Sequence, residues 1–364
     1  MSKEKKKHGI LFKIIRVILV IIGIIILAIA GMLAFMSINE YKPADVEKLT
    51  AEGTAAETYK PGDQLTVMTW NIGYGALGDN ADFFMDGGEM VKSATKERVE
   101  QNLNGIAEGI QMMEPDVVLL QEVDVNSSRS YKIDELQFLR EKFKGYESSY
   151  AINYKAAFVP YPVPPLGKID AGLATFETSK ASAIERVQLP ISFSWPVSTV
   201  NLKRCLMLNH IPLKGTDKEL VVCNLHLEAY DSGEGKIAQT KMLEELLTEE
   251  AAKGNYVIAA GDFNQIFSTA DQEAYPLQEG TWHPGEIDVN SIDGDWSFLM
   301  DEKTPSCRSL DMPYADADHD NFQYYLIDGF IVSGNIGVDE FRTVDFDFEN
   351  SDHNPVVLRC TLEK

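Results

Sequence analysis

The sequence predicts an α/β protein: two β-sheets packed face to face with helices outside, preceded by one membrane-spanning helix. Three observations carry this reading. Eight short runs rich in Val, Ile, Leu and aromatic residues are bounded by Gly, Pro, Asp or Asn. Two longer stretches with apolar residues at helical spacing lie among them. Near the N-terminus a single uncharged apolar run is long enough to cross a bilayer.

Residues 1–16 hold Lys3, Lys5, Lys6, Lys7, Lys13 and Arg16 against one acid, Glu4. No residue from Val17 to Asn39 is charged, and the run VILVIIGIIILAIAGMLAFMSIN matches the length of a transmembrane helix over 17–39. Lysines crowd its N-terminal side, while Glu40, Asp45 and Glu47 follow it. The positive-inside rule therefore leaves residues 1–16 as a cytoplasmic tail and the body outside, at the cell membrane. Ala28-Ile29-Ala30 also has the small-x-small pattern of a signal-peptide cleavage site, but the apolar run continues through Leu33, Phe35 and Ile38, which favours an uncleaved anchor.

Residues 40–63 are polar and small, lack apolar periodicity and end in Pro61-Gly62, so they read as a linker. The strand-like runs follow: LTVMTWNI, DVVLLQEV, GLATFET, CLMLNHIPL, ELVVCNLHLE, YVIAAGDFN, YYLIDGFIVS and PVVLRCTL. One helical stretch places Val99, Leu103, Ile106 and Ile110 on a stripe; another has Ile237, Met242, Leu243, Leu246 and Leu247; a shorter one, DELQFLREKF, lies between them. Without internal repeats or low-complexity tracts, 64–364 reads as one domain.

The chain has 364 residues, with 33 Lys+Arg, 56 Asp+Glu and a net charge of −23. Because the basic tail contributes +5, the remainder carries −28. The 45% hydrophobic content excludes wholesale disorder and collagen-like repeats. So acidic a body argues against gripping nucleic acid through a broad basic face. Cys205, Cys223 and Cys360 lie in apolar runs and Cys307 in a loop, with no C-x-x-C pair, so buried free thiols are expected rather than disulfides or a zinc site.

Six short motifs place Asn, Asp, Glu or His where a strand runs into a loop. They are Trp70-Asn71-Ile72-Gly73, Gln121-Glu122, Asn224-Leu225-His226-Leu227, Gly261-Asp262-Phe263-Asn264, Ile327-Asp328 and Ser351-Asp352-His353-Asn354-Pro355. Any one of them alone is a common turn or cap signal. Together their oxygen ligands suit a hard cation such as Mg²⁺.

The ordered series WNIG, PDVVLLQE, NLHL, GDFN, LID and SDHNP resembles the endonuclease/exonuclease/phosphatase superfamily, metal-dependent phosphohydrolases with a deoxyribonuclease I-like fold. The resemblance spans about residues 64–364 and implies a four-layer α-β-β-α sandwich with the site at one end of the sheets. It implies Glu122 and Asn71 as ligands of one Mg²⁺ or Mn²⁺, with Asp352 near the metal or serving as a turn acid. Asp262 would orient or deprotonate the attacking water. Asn264, taken as extended and therefore on the same side as Asp262, would donate to a phosphate oxygen. His353 would act as base or charged phosphate contact with Asp328 on its other ring nitrogen, and His226 would add a second donor. In-line attack of water on phosphorus follows from these roles.

His8 falls in the tail, and His210, His283 and His319 have no counterpart in the series. Asp311 to Asp320 reads as a solvated loop, since it lacks the spacing of an EF-hand, and Arg308 either touches substrate or balances those acids. The proline-rich run Phe158 to Pro165 reads either as a rigid loop shaping a substrate pocket or as a simple connector. A phosphate ester is the expected substrate, a lipid headgroup or small phosphodiester ahead of nucleic acid, with the membrane as partner through the N-terminal helix and no obligate protein partner evident. The rivals are a nuclease of extracellular nucleic acid and a catalytically silent surface binding module.

Overall fold

The computed structural model describes residues 3–364, with side chains from Ile10 onward. The first two residues of the expected tail, and the side chains of Lys3, Lys5, Lys6 and Lys7, lie outside the described residues.

Among the described residues there are four α-helices: α1 (Lys3–Ile38), α2 (Lys96–Met113), α3 (Glu135–Lys142) and α4 (Glu234–Ala252). Within α1, Ile10–Ile38 is apolar and long enough to cross a membrane, and the rest of the protein buries only Met36, near its C-terminal end. Thr95 and Asp134 cap α2 and α3 by accepting from the backbone N–H groups of Arg98 and Gln137.

The body is built on two seven-stranded sheets. One runs in the order Val46–Lys48, Ala183–Gln188, Cys205–Pro212, Glu219–His226, Tyr256–Asp262, Asp328–Ser333, Trp296–Leu299. The other runs Ile336–Thr343, Val356–Leu362, Gln64–Asn71, Val117–Asp124, Gly167–Glu177, Glu147–Val159, Glu52–Gly53. Alternation along each strand sends side chains to opposite faces. Val67, Leu119, Val222, Ile258, Phe330 and Leu358 meet between the sheets. Met68, Trp70, Val118 and Leu120 face outward under Val99, Leu103 and Ile106 of α2 and Leu139 of α3. Leu206, Val221 and Val257 pack under Leu243 and Leu247 of α4. The result is the four-layer α-β-β-α sandwich expected from the sequence.

Two local readings change. The α4 stripe rests on Leu243 and Leu247, while Ile237, in the helix's first turn, is 71% exposed. Residues 40–63 are not free chain either. Val46–Lys48 pairs with Ala183–Gln188, and Glu52–Gly53 pairs with Glu147–Val159, so the segment is laced to an edge of each sheet. Its short polar strands pair through their backbone groups, and Glu47 and Glu52 add ion pairs to Arg186 and Arg140, so they carry no apolar alternation. All four cysteines are buried free thiols, as expected.

Candidate active site

Strand register assembles the site. Asp262 ends its strand paired with His226 on the parallel side and with Asp328 on the antiparallel side. Gly261 permits this close approach: its φ is +153°, and a Cβ there would collide with the Leu225 carbonyl oxygen. On the facing sheet Asn71 pairs with Gln121. The next residue, Glu122, sits at φ +57° where the register against Gly167–Glu177 shifts, and this bulge is the local reason its carboxylate leaves the strand's alternation. The sheets are tied beneath the site by Gln121, whose Nε2 donates to Asn224 Oδ1 at 2.8 Å, and by Asn224 Nδ2, which donates to the Leu120 and Ala174 carbonyls. The loop 351–355 is held by Ser351 Oγ donating to the Asn71 carbonyl at 2.8 Å and by Trp70 Nε1 donating to the His353 carbonyl at 2.7 Å.

Asn71, Glu122, His226, Asp262, Asn264, Asp352 and His353 all line one cavity of about 620 Å³. Asp328 stands directly behind His353, with Oδ2 2.8 Å from Nδ1. Apart from Glu122, which is partly exposed, these residues are buried. Asp262 Oδ2 is the hub. It accepts from Asn71 Nδ2 at 3.1 Å and lies 3.4 Å from His226 Nε2 and 3.8 Å from His353 Nε2.

The electrostatics follow from burial and neighbours. Burial first, then the adjacent Asp328, raises the Asp262 carboxyl. Burial alone would lower the His353 imidazole, but the Asp328 and Asp352 carboxylates override it and hold the ring well above its ordinary value. His226 goes the other way: burial, with Arg204, keeps it neutral, and its Nδ1 has no partner.

Two expected residues sit differently from the sequence reading. Asn71 Oδ1 accepts the Gly73 N–H at 3.1 Å, so the amide turns its nitrogen toward Glu122, Asp262 and His353 and acts as a donor. Asn264 does lie beside Asp262, but not through strand alternation. It sits beyond the strand end at φ +52°, donates its backbone N–H to Asp262 Oδ1 at 2.9 Å, and commits one amide hydrogen to the Leu227 carbonyl.

The donor set fits a hard divalent cation. Glu122, Asp262, Asp328 and Asp352 bring four carboxylates to one end of the sheets, the last three buried, and Asp328 Oδ1 has no hydrogen-bond partner. Burial also raises the Asp352 carboxyl, a penalty that a cation at its side would relieve. Cys307 lies within ligand distance of Asp352 and His353, but burial pushes its thiol up to about 12, which leaves it protonated and unsuited to a soft-metal site.

Arg129 was not legible in the sequence as a site residue. Its guanidinium makes a two-point contact with Asp124 (3.1 and 3.0 Å), lies 3.7 Å from Glu122 and stacks on the Tyr74 ring at 3.6 Å. Only the proximity of basic Arg129 to the QEVD run hinted at it. Arg308 resolves to a structural role, donating to the carbonyls of Gly78, Ala81 and Ser309. His210 pairs with Glu219, and His319 stacks on Tyr314, both away from the cavity.

The sequence profile of the Endonuclease/Exonuclease/phosphatase family matches residues 68–291. No curated protein matches the sequence. Among solved structures, an endonuclease/exonuclease/phosphatase from Beutenbergia cavernae DSM 12333 superposes with a TM-score of 0.57 at 20% identity, covering 82% of this chain and 72% of that one. An endonuclease/exonuclease/phosphatase family protein from Bacteroides thetaiotaomicron gives 0.54 at 17% identity, covering 84% and 97%. Both likenesses show the fold.

Proposed function

The chain belongs to the Endonuclease/Exonuclease/phosphatase family and is a metal-dependent hydrolase of phosphate esters; from that premise we propose that it cleaves its ester by in-line attack of water in the cavity at the sheet ends, with Mg²⁺ or Mn²⁺ beside Glu122 and Asp352. The observation that carries the proposal is the convergence of residues from six separated motifs on one hydrogen-bonded cluster around Asp262.

A bound divalent cation would supply positive charge against the phosphoryl oxygens. The chain's own residues do the rest. Asp262, more basic than a solvated aspartate because of burial and Asp328, takes the proton of the attacking water. The water oxygen bonds to phosphorus as the ester P–O bond breaks. Protonated His353, fixed on Nδ1 by Asp328, presents Nε2 to the leaving oxygen and donates to it. Asn71 Nδ2 and the second amide hydrogen of Asn264 donate to the equatorial oxygens, and neutral His226 adds a further ring N–H. The cycle closes when Asp262 releases a proton and His353 regains one.

Placement follows from the N-terminal segment. The uncharged apolar segment 17–39 spans the cell membrane, with the basic residues 1–16 in the cytoplasm and the domain of residues 64–364 outside. Protease treatment of intact cells should remove that domain and spare the tail; protection of the domain would reverse the orientation. For the chemistry, Mg²⁺-dependent hydrolysis of bis(p-nitrophenyl) phosphate is measured in single turnover, where Asp262→Asn and His353→Ala should each lose at least a hundredfold. Near wild-type rates in either would remove these roles, and no turnover by the folded wild type with metal would favour a binding module.

A further inference from the structure

The cavity is larger than a phosphate needs. Beyond the polar cluster it continues into a chamber walled by Phe84, Val159, Tyr161, Leu166, Phe193 and Val197, with Tyr161 set edge-on to Phe84 at 5.7 Å between ring centres. Two segments supply most of this wall: the proline-rich run Phe158 to Pro165 and the stretch leading into the short 3-10 turn Val197–Val200. Both also turn apolar side chains outward, with Val163 93% exposed, Tyr161 67% and Trp195 60%, and with Ile191 and Val197 exposed as well. Outward apolar groups on two neighbouring loops mark an interaction surface.

The same 3-10 turn receives the C-terminal end of α1. Trp195 Nε1 donates to Ser37 Oγ at 3.0 Å, Met36 is buried, and the buried Lys203 ammonium pairs with Glu40 at 2.9 Å. One short segment therefore serves both as chamber wall and as the seat of the apolar helix.

The cations of the cavity are already engaged. Arg129 holds Asp124, Arg204 lies against Glu228 and the His226 carbonyl, and Arg308 serves backbone carbonyls. Each lining Arg is thus committed to a carboxylate or to backbone carbonyls rather than free to track a polyanionic strand.

We propose that the chamber takes the hydrocarbon tail of a membrane lipid bearing a phosphate ester, and that the docked helix presents it to the membrane which that helix spans, so that hydrolysis proceeds in cis on that membrane's own lipids. This rests on the phosphoesterase reading above and names its substrate class. Water adds its oxygen to phosphorus, the P–O bond to the leaving alcohol breaks, and one water proton ends on that alcohol while the other stays with the phosphate product.

The test uses full-length protein in phosphatidylglycerol/phosphatidylcholine vesicles with Mg²⁺, mixed with protein-free vesicles carrying a distinguishable lipid label, and bis(p-nitrophenyl) phosphate and a single-stranded oligonucleotide run in parallel. The expected result is lipid hydrolysis at least tenfold faster in the protein-bearing vesicles than in the protein-free ones. Val163→Asp, at a fully solvated position, and Trp195→Ala should each lower the ratio of vesicle to soluble-ester rates about tenfold. Cleavage of the soluble ester with vesicle lipid untouched, equal rates in the two vesicle populations, or faster cleavage of the oligonucleotide would overturn the inference alone. Failure to cleave any of the substrates would overturn the phosphoesterase reading itself.

Discussion

His353 Nδ1 lies 2.8 Å from Asp328 Oδ2, and both groups are buried. That contact fixes which ring nitrogen faces the cavity, and it opposes the burial that would otherwise strip the imidazole of its proton.

Asp328→Asn should lower kcat by about 10²–10⁴, the usual size of an acid–base contribution. The sign of the pH effect follows from the raised imidazole. Wild-type activity that needs protonated His353 is present below the folded pKa and lost as pH rises through it, so removing Asp328 moves the alkaline limb to lower pH. A kcat–pH profile with an unshifted alkaline limb would mean that His353 does not act as the charged group.

Chelation should abolish turnover, and Mg²⁺ or Mn²⁺ should restore it. Glu122→Gln should raise the half-saturating metal concentration about 10–100-fold, as loss of a group at a metal site does, whereas Ile237→Ala on the exposed face of α4 should leave it unchanged. Activity against free metal reads both.

Glu177 is buried with Oε1 unpartnered, and burial together with Glu147 raises its carboxyl well above the ordinary range. A raised acid contributes fully below its unfolded value near 4.5 and loses that contribution as pH rises toward the folded value. Glu177→Gln should therefore stabilise the fold by about 1–3 kcal/mol at pH 8, the scale of an unpaired buried polar group, and much less at pH 4. Thermal melts at the two pH values make the comparison.

The four thiols should be silent in the native protein and react fully with a thiol reagent once it is denatured without reductant. A denatured count below four would reveal a disulfide.

Much of this was legible because strand ends announce themselves. GDFN and LID read as site motifs only as members of an ordered series that resembles the family, and the register of Asp262 with His226 and Asp328 brings them together. The inter-sheet residues were equally visible as apolar runs. What the sequence hid depends on backbone geometry or distant pairing. The bulge at Glu122, the left-handed turn at Asn264 and the amide orientation of Asn71 are set by neighbours that no local pattern encodes. Edge strand Ile336–Thr343 escaped notice because its exposed side carries Asp339 and Glu340, the charged dressing that keeps sheet edges from pairing further. Ala183–Gln188 escaped for a related reason, since Arg186 interrupts its apolar run yet is buried against the Ile152 and Lys203 carbonyls.

The lacing of residues 46–53 to both sheets bears on kinetics. A free tether of 24 residues would let the domain wander about 25–30 Å from its anchor point, sampling a volume. Pinned by Val46–Lys48 and Glu52–Gly53, it has no such swing. On the proposed membrane placement and lipid substrate, its encounters with anything diffusing laterally are counted per unit area, so the rate should scale with the mole fraction of substrate in the surface and be indifferent to how much of that surface is present in the tube.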